Sequence, residues 1–330
     1  MIELKKPFSK SILKINNLEV LINQITVDLK NHIIKSLGRR GGIVGISGGI
    51  DSSVTLALTV KAIGANRVLG VMLPEKDSSS DSLELAKELA DKFGVNTIRE
   101  EITGALDGLG CYSRRDEAVK RVFSSYDPTI HKFKIGIKQD SMNSNLPPLF
   151  SVTIVKPNGS EESKLLPVSE YLQIVASSNF KQRSRMSMLY YHAERLHYAV
   201  IGTPNKHEVE QGFFVKYGDG GADVMPIAPF YKSQVYQMAE YLGVPEGIIS
   251  RTPTTDTYTA EQTQEEFFFQ LPFEIMDLIW YGWENDYPAI DVAEEMSIPV
   301  EQIENVFRNF ERKQKTTDYL RRSPIIPHYT

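Results

Sequence analysis

Gly42-Ile-Val-Gly-Ile46, followed at once by Ser47-Gly-Gly-Ile-Asp-Ser-Ser53, decides how the rest of the chain is read. The first stretch is short, apolar and β-branched, the signature of a strand buried on both faces. The second is a glycine- and serine-rich turn, and Val54 to Ala62 after it reads as a helix. Outward from there the same alternation repeats. Arg67 to Leu73 reads as a second strand, Asp81 to Phe93 as a helix stopped by Gly94, and Val95 to Ile102 as a third strand. Upstream, apolar residues from Ile12 to Leu37 recur at steps of three and four, predicting one amphipathic helix that ends at Gly38. Downstream, 168–197 reads as a long helix and Tyr198-Ala-Val-Ile-Gly202 as a fourth buried strand. Strands alternating with helices predict an α/β fold: a doubly wound, mostly parallel sheet flanked by helices. Helices at 231–242, 272–281, 289–297 and 300–315 add a helical C-terminal part before an irregular tail at 321–327. Residues 103–166 break the rhythm. Asn143 to Pro148 is turn-rich, and Phe150 to Val155, Pro157-Asn-Gly159 and Ser163 to Leu166 read as a β-hairpin. This stretch is expected to be an insertion or lid within a single domain spanning 1–330.

Composition narrows the function classes. The chain has 330 residues, Lys+Arg 37 against Asp+Glu 42 and a net charge of -5, so no dominant nucleic-acid footprint is expected. A single cysteine, Cys111, excludes an internal disulfide, a Cys-based zinc site and an iron–sulfur cluster. No apolar run approaches the roughly twenty residues of a membrane span, and no apolar segment follows Lys5 and Lys6, so a soluble, cytoplasmic protein is expected.

The chemistry lies in Gly45-Ile-Ser-Gly-Gly-Ile-Asp-Ser52. Gly48 and Gly49 let backbone approach a ligand, and amides at a helix N-terminus attract anions, phosphate above all. Ser47 and Ser52 add hydroxyl donors. Asp51 would repel phosphate unless a Mg²⁺ ion lies between them. The plain alternative is a Gly-Ser turn with a capping Asp or Ser. The pattern is neither Walker A nor the dinucleotide Gly-x-Gly-x-x-Gly.

The loop resembles the pyrophosphate loop of the ATP pyrophosphatases. Downstream stand Asn179-Phe-Lys-Gln-Arg-Ser-Arg-Met186, Gly202-Thr-Pro-Asn-Lys-His-Glu208, Gly212-Phe-Phe-Val-Lys-Tyr-Gly-Asp-Gly-Gly-Ala-Asp223, Tyr231-Lys-Ser-Gln-Val-Tyr236 and Pro253-Thr254. Together these resemble the NAD synthetase family over about 12–102 and 168–327. The resemblance implies an adenine nucleotide alpha hydrolase-like fold and ATP as co-substrate with Mg²⁺. The nicotinate carboxylate of deamido-NAD is adenylated, pyrophosphate leaves, and ammonia converts the acyl-adenylate to NAD and AMP. It further implies that Gly45, Ile46, Ser47, Gly48, Gly49, Ile50, Asp51 and Ser52 bind ATP with Thr203, Lys232 and Thr254. Asp51 and Glu208 would hold the metal, and Asp51, Glu208 and Lys232 would form the catalytic set. Arg183, Lys216 and Asp223 would meet deamido-NAD. A symmetric homodimer is implied, for which the 12–37 stripe is available unless it covers a sheet edge. No glutaminase domain precedes the loop, so ammonia is used directly or comes from a separate glutaminase subunit.

Each residue has a plainer reading. Glu208 fits a solvated helix face, Lys216 and Lys232 surface lysines, Arg183 and Arg185 one polar helix face, and Asp223 a turn. Met186, Met188 and Tyr190 fit a core; His192, His197 and His207 lack metal-ligand spacing and read as structural or solvent-facing; Cys111 reads as a passive thiol. The sequence also departs from the family. Tyr319 and Leu320 stand where a His-Lys pair is usual, with Arg321 or Arg312-Lys313 as replacement cations, and Gln262-Thr-Gln-Glu-Glu-Phe-Phe-Phe269 lacks the usual Asp. These departures fall where the carboxylate substrate would lie. A related amide ligase for another carboxylate and a non-catalytic ATP-binding regulatory module therefore remain alternatives. The acidic balance and the lack of catalytic cysteines count against a tRNA-modifying ATP pyrophosphatase.

Overall fold

The computed structural model describes residues 5–137, 142, 149–254 and 257–327. Four parallel strands form the central sheet: β1 (Gly42–Gly45), β2 (Val68–Met72), β3 (Asn96–Arg99) and β7 (Ala199–Ile201), in the order β3-β2-β1-β7. Register is set by Gly42 against Val68 and against Ala199. Side-chain alternation explains the two helical layers. Val44, Val68 and Met72 face one side. There they meet α1 (Leu18–Asn31), α2 (Ile50–Ile63) and α3 (Ser80–Phe93), with α8 (Lys232–Leu242) and α9 (Glu246–Ile249). Ile43, Leu69 and Val71 face the other. They pack on α4 (Thr103–Gly108), α5 (Cys111–Val122) and the long α6 (Val168–Leu196). The doubly wound parallel architecture expected from the alternation is the one observed.

Boundaries differ where local hydrogen bonds compete with periodicity. The predicted helix 12–37 starts only at Leu18, because the Asn17 side chain caps it, accepting from Val20 N at 3.0 Å. Leu13, upstream of the cap, packs instead with the C-terminal helices. A π-turn at His32–Ser36 closes the segment before Gly38. Helix α2 begins at Ile50 rather than Val54, so Asp51 and Ser52 lie in its first turn.

Residues 103–166 hold more structure than one hairpin. Besides α4 and α5 they form an antiparallel sheet of β4 (Lys132–Ile137), β5 (Phe150–Val155) and β6 (Glu161–Leu165). The expected hairpin is β5–β6, paired from Ser151–Leu165 to Val155–Glu161. The predicted turn-rich stretch 143–148 lies outside the described residues. The outer edge of β4 is stitched to the main body: Ala260 N donates to Phe133 O at 3.0 Å, and Phe133 N to Thr259 Oγ1 at 2.8 Å. A buried ion cluster ties α5 and α6 to the loop that follows β2. Arg115 pairs with Asp77 at 2.6 Å and with Asp116 at 3.0 Å, and Lys181 pairs with Asp77 and Glu75 at 2.8 Å each. Cys111 is buried, its thiol directed to Ser177 O at 3.1 Å.

The remaining helices are α7 (Lys206–Gln211), α8 (Lys232–Leu242), α9 (Glu246–Ile249), α10 (Phe273–Glu284), α11 (Ala289–Met296) and α12 (Val300–Arg321). The last three build a separate core around Trp280 with Phe8 and Leu13 of the N-terminal arm. Helix α12 runs six residues beyond the expected end at 315. Among the described residues no helix is long and apolar enough to cross a membrane.

Candidate active site

The chain reverses its direction of winding at β1, which has β2 on one side and β7 on the other. In open parallel sheets the crevice beyond the carboxyl ends of two such strands is the usual ligand site. A cleft of about 610 Å³ opens there, lined by residues from the ends of β1, β2 and β7.

All of Gly45 to Ser52 line this cleft. Gly48 adopts φ +73, and a side chain there would sit 2.6 Å from Ser82 O, so only glycine lets the loop lie against α3. Gly49 precedes α2 without a side-chain cap. The serines brace the turn from within: Ser52 Oγ and Ser53 Oγ donate to Gly49 O at 3.0 and 2.8 Å, and Ser47 Oγ lies 3.2 Å from Ser52 Oγ. By helix geometry the first-turn amides of α2 have no carbonyl within the helix to donate to, the arrangement that attracts anions.

Thr203, Glu208, Lys232 and Thr254 join the loop in the same cleft. Lys232 is no surface lysine. It is 0% exposed and its ammonium is bound to Asp51 Oδ2. Asp51 Oδ1 accepts from Asn205 Nδ2 at 3.2 Å. Asn205 also caps α7, its side chain accepting from Glu208 N at 3.2 Å while Glu208 Oε2 accepts from Asn205 N at 2.9 Å. One asparagine therefore touches both acids. Burial pushes the Glu208 carboxyl up, and the Asp51 charge adds to this, to about 8 despite Lys232. Burial pushes the Lys232 ammonium down, but Asp51 and Glu208 outweigh it and raise it overall. Burial and the Asp51 charge thus hold Glu208 back from ionising beside a single cation, Lys232. Among the described residues no group of three or more His, Cys, Asp and Glu could hold a metal by itself.

The three residues expected to meet the acid substrate do not line the cleft. Arg183 Nε donates to Lys216 O at 3.3 Å, and Lys216 Nζ holds Tyr319 O and Arg322 O at 2.7 Å each. Asp223 accepts from Val200 N at 2.8 Å and from Tyr190 Oη at 3.2 Å. Their sequence neighbours line the cleft instead: Arg185, Met186 and Asp219. Met186, expected in the core, is thus a wall residue. Arg185 Nε donates to Leu73 O at 3.3 Å. Asp219 is pushed up to about 6 by burial, against backbone donors from Val215 and Gly220. Arg251, unremarked in the sequence, also lines the cleft and donates to Ser82 Oγ at 3.1 Å beside the loop. Nothing local in the sequence marks Arg251. Asp219 was visible within Lys-Tyr-Gly-Asp-Gly-Gly-Ala-Asp, whose Gly220 approaches the Phe214 ring so closely that a side chain would lie 2.3 Å from it.

The departures from the family pattern do gather at one end. Gln264, Phe267, Phe268, Tyr319 and Leu320 line the cleft there with Tyr171, Phe213 and Phe214. Arg321 does not replace a lost cation in the cleft, since it donates to Val209 O, Glu210 O and Gln314 O. Lys313 lies behind Phe268, donating to its carbonyl at 3.0 Å. Burial pushes its ammonium down to about 7, with Arg312 adding to the effect.

A family model described as NAD synthase matches residues 21–122 and 152–324. The matched part includes α4 and α5 and leaves out 123–151. A protein named NH(3)-dependent NAD(+) synthetase from Rhizobium meliloti (strain 1021) is 44% identical over 320 residues, 97% of this chain and 94% of its own. Its namesake from Thermotoga neapolitana is 32% identical over 282 residues, 86% of this chain and 90% of its own. Among solved structures, NMN synthetase from Francisella tularensis superposes with a TM-score of 0.63 at 20% identity, covering 95% of this chain and 99% of that one. NH3-dependent NAD synthetase from Campylobacter jejuni superposes with 0.61 at 19% identity, covering 95% and 100%. At these identities the structural likeness speaks to fold.

Proposed function

This chain belongs to the NAD synthase family, and we propose that it is an ammonia-dependent NAD synthetase that adenylates the nicotinate carboxylate of deamido-NAD. The observation that carries this reading is the meeting of Asp51, Glu208 and Lys232 beside the Ser47–Ser52 loop, at the switch point of the sheet. Adenylation brings two anions together and expels a third. Loop amides and the α2 N-terminus are suited to hold the departing pyrophosphate, and the buried Lys232 to offset charge gathered on the phosphates. Because Lys232 is fully buried, its charge acts where water screens least. Asp51 and Glu208 are the pair suited to Mg²⁺, which when bound would neutralise phosphate charge and orient the chain of phosphates. Thr203 and Thr254 flank the nucleotide end.

The carboxylate substrate belongs at the aromatic end, near Tyr319 and Phe268. Fixing it against the α-phosphorus makes a bimolecular encounter local, a large share of the barrier in such reactions. Ammonium must lose a proton before attacking the acyl-adenylate. Asp219, a cleft acid pushed up to about 6, supports that role, whereas Asp223 is committed to Val200 and Tyr190. Arg183, Lys216 and Asp223 then serve the substrate indirectly, by shaping the 213–223 loop. A homodimer remains part of the proposal, with Val20 and Val27 of α1 exposed while Ile22 and Leu29 are buried against the sheet layer. Ammonia is used directly or is delivered by a separate glutaminase subunit.

The test is incubation with ATP, Mg²⁺, ammonium and deamido-NAD, following AMP and pyrophosphate. AMP formation that depends on deamido-NAD is expected. Tyr319 and Leu320 in place of His-Lys favour one second reading, an amide ligase for a different carboxylate. Turnover with another nicotinate nucleotide and none with deamido-NAD would select it.

A further inference from the structure

Behind the cleft lies a line of polar side chains that the chemistry above does not use. His207, Gln211 and Asp277 are each 0% exposed. Lys313 Nζ lies 3.2 Å from Gln211 Oε1, Gln211 Nε2 lies 3.2 Å from His207 Nδ1, and His207 Nε2 lies 2.6 Å from Asp277 Oδ1. Asp277 Oδ2 accepts from Ser233 N at 2.7 Å. The direction of every bond follows from one end. As an ammonium Lys313 only donates, so in that form the Gln211 oxygen faces Lys313 and its NH₂ faces the imidazole. Nδ1 must then accept, which leaves the ring proton on Nε2, aimed at Asp277. The Gln211 NH₂ also meets Met276 Sδ at 3.3 Å, which agrees with this orientation.

Asp277 thus bridges two residues of telling position. Ser233 follows Lys232 on α8, and His207 precedes Glu208 on α7. We propose that Asp277 is a positioning residue for the adenylation site, fixing the helices that carry Glu208 and Lys232 at one separation about Asp51. The connections form a closed ring. Asp51 binds Lys232 and Asn205, Asn205 caps α7, and Asp277 ties α7 back to α8. The carboxylate sits at the N-terminus of α8, where negative charge is favoured. Aromatic packing of His207 on Trp280, at 5.5 Å and 88°, holds the ring edge-on so that Nε2 stays directed. The kinetic meaning of this role rests on the NAD synthetase reading; the hydrogen-bond direction does not.

The direction of the chain yields an unusual epistasis. Asp277→Asn retains one acceptor for two donors. Satisfying both Ser233 N and His207 requires the Asn NH₂ to face the ring, the proton to move to Nδ1 and the Gln211 amide to flip, and Lys313 opposes that flip. Lys313→Gln removes the opposition. We therefore expect Asp277→Asn alone to lower kcat by about 10- to 100-fold while the KM for ATP changes by less than about 3-fold. Adding Lys313→Gln should recover at least about 5-fold of that loss, because the network is satisfied again. A purely structural role would lower the melting temperature and leave kcat per folded enzyme unchanged. ¹⁵N-histidine NMR should place the His207 proton on Nε2 in the parent and on Nδ1 in the double variant. If Asp277→Asn does not fold, His207→Leu removes the donor to Asp277 and leaves the Ser233 contact; it should show the same loss of kcat at nearly constant KM. The proposal is overturned by an Nδ1 proton in the parent, by unchanged kcat in Asp277→Asn or His207→Leu, or by additive losses in the double variant. A parent that never turns over deamido-NAD would defeat the function reading, and the NMR result would still decide this one.

Discussion

Replacing Gly48 by Ala isolates what the loop backbone contributes. Two costs arise. At φ +73 an L-residue pays roughly 1 to 2 kcal/mol for the left-handed conformation. The new Cβ would also stand 2.6 Å from Ser82 O and 3.1 Å from Leu85 Cβ. The nearest atom is backbone of α3, not a movable side-chain end, so the loop or the helix must shift by several tenths of an ångström. Overpacking of this kind costs about 1 to 3 kcal/mol. The total, about 2 to 5 kcal/mol, is an upper range because the loop shares the strain by moving. That movement is the functional effect: amides displaced by up to about 1 Å lose about 100-fold in rate. Gly94→Ala is the internal control. It sits at φ +64 with nothing within 4 Å of an added Cβ, so it carries the conformational cost without the collision. Thermal melts and ATP-dependent AMP release should therefore separate the two. Gly94→Ala should melt slightly lower with parental turnover; Gly48→Ala should melt several degrees lower, with kcat/KM for ATP down about 100-fold. Equal melting of the two variants together with parental turnover in Gly48→Ala would refute the claim that this loop must lie against α3.

Glu208→Gln should abolish adenylation and raise stability in a pH-dependent way. The Glu208 carboxyl is pushed up to about 8, so its neutral form is favoured by the fold and stability is lost as pH rises from the ordinary carboxylate range through about 8. The variant should gain a few degrees over the parent at pH 9 and nothing at pH 4; a constant difference across that range would contradict this. Asp77→Ala should cost about 3 to 5 kcal/mol in urea unfolding, since it strips Arg115 and Lys181 of a shared buried partner. Burial pushes the Asp77 carboxyl up, and Lys181 and Arg115 more than reverse this, so the parent holds that stability above the ordinary carboxylate range and loses it as pH falls through the lowered value. Tyr319→Ala, at a residue 64% exposed on the cleft rim, should raise the KM for the carboxylate substrate and leave the KM for ATP and the melting temperature in place. A raised KM for ATP in that variant would move the acid subsite elsewhere.

The sequence carried most of what is contiguous. A β-branched run, two glycines and two serines specify strand, turn and helix start within a dozen residues, so this strand–turn–helix was readable without knowing what packs on it. Thr203, Glu208, Lys232 and Thr254 were placed by their motifs and do meet in the cleft. Helix phase decides which of two arginines on α6 faces the cleft, and that could not be read from the sequence: Arg185 turns toward it and Arg183 donates to the Lys216 carbonyl. The 103–166 stretch was underread, since β4 is completed by pairing with 259–260, more than a hundred residues away.

The amino-acid order by itself determined the fold class, the glycine-serine turn after β1 and the family, because each depends on periodicity or on neighbours a few residues apart. Only the tertiary structure decided that Lys232 is buried against Asp51, that Asp219 rather than Asp223 faces the cleft, and that Asp277 joins α7 to α8. Those facts depend on which distant groups share a low-dielectric interior, where an unpaired charge or a lost hydrogen bond is costly, and no local pattern encodes who the partner is.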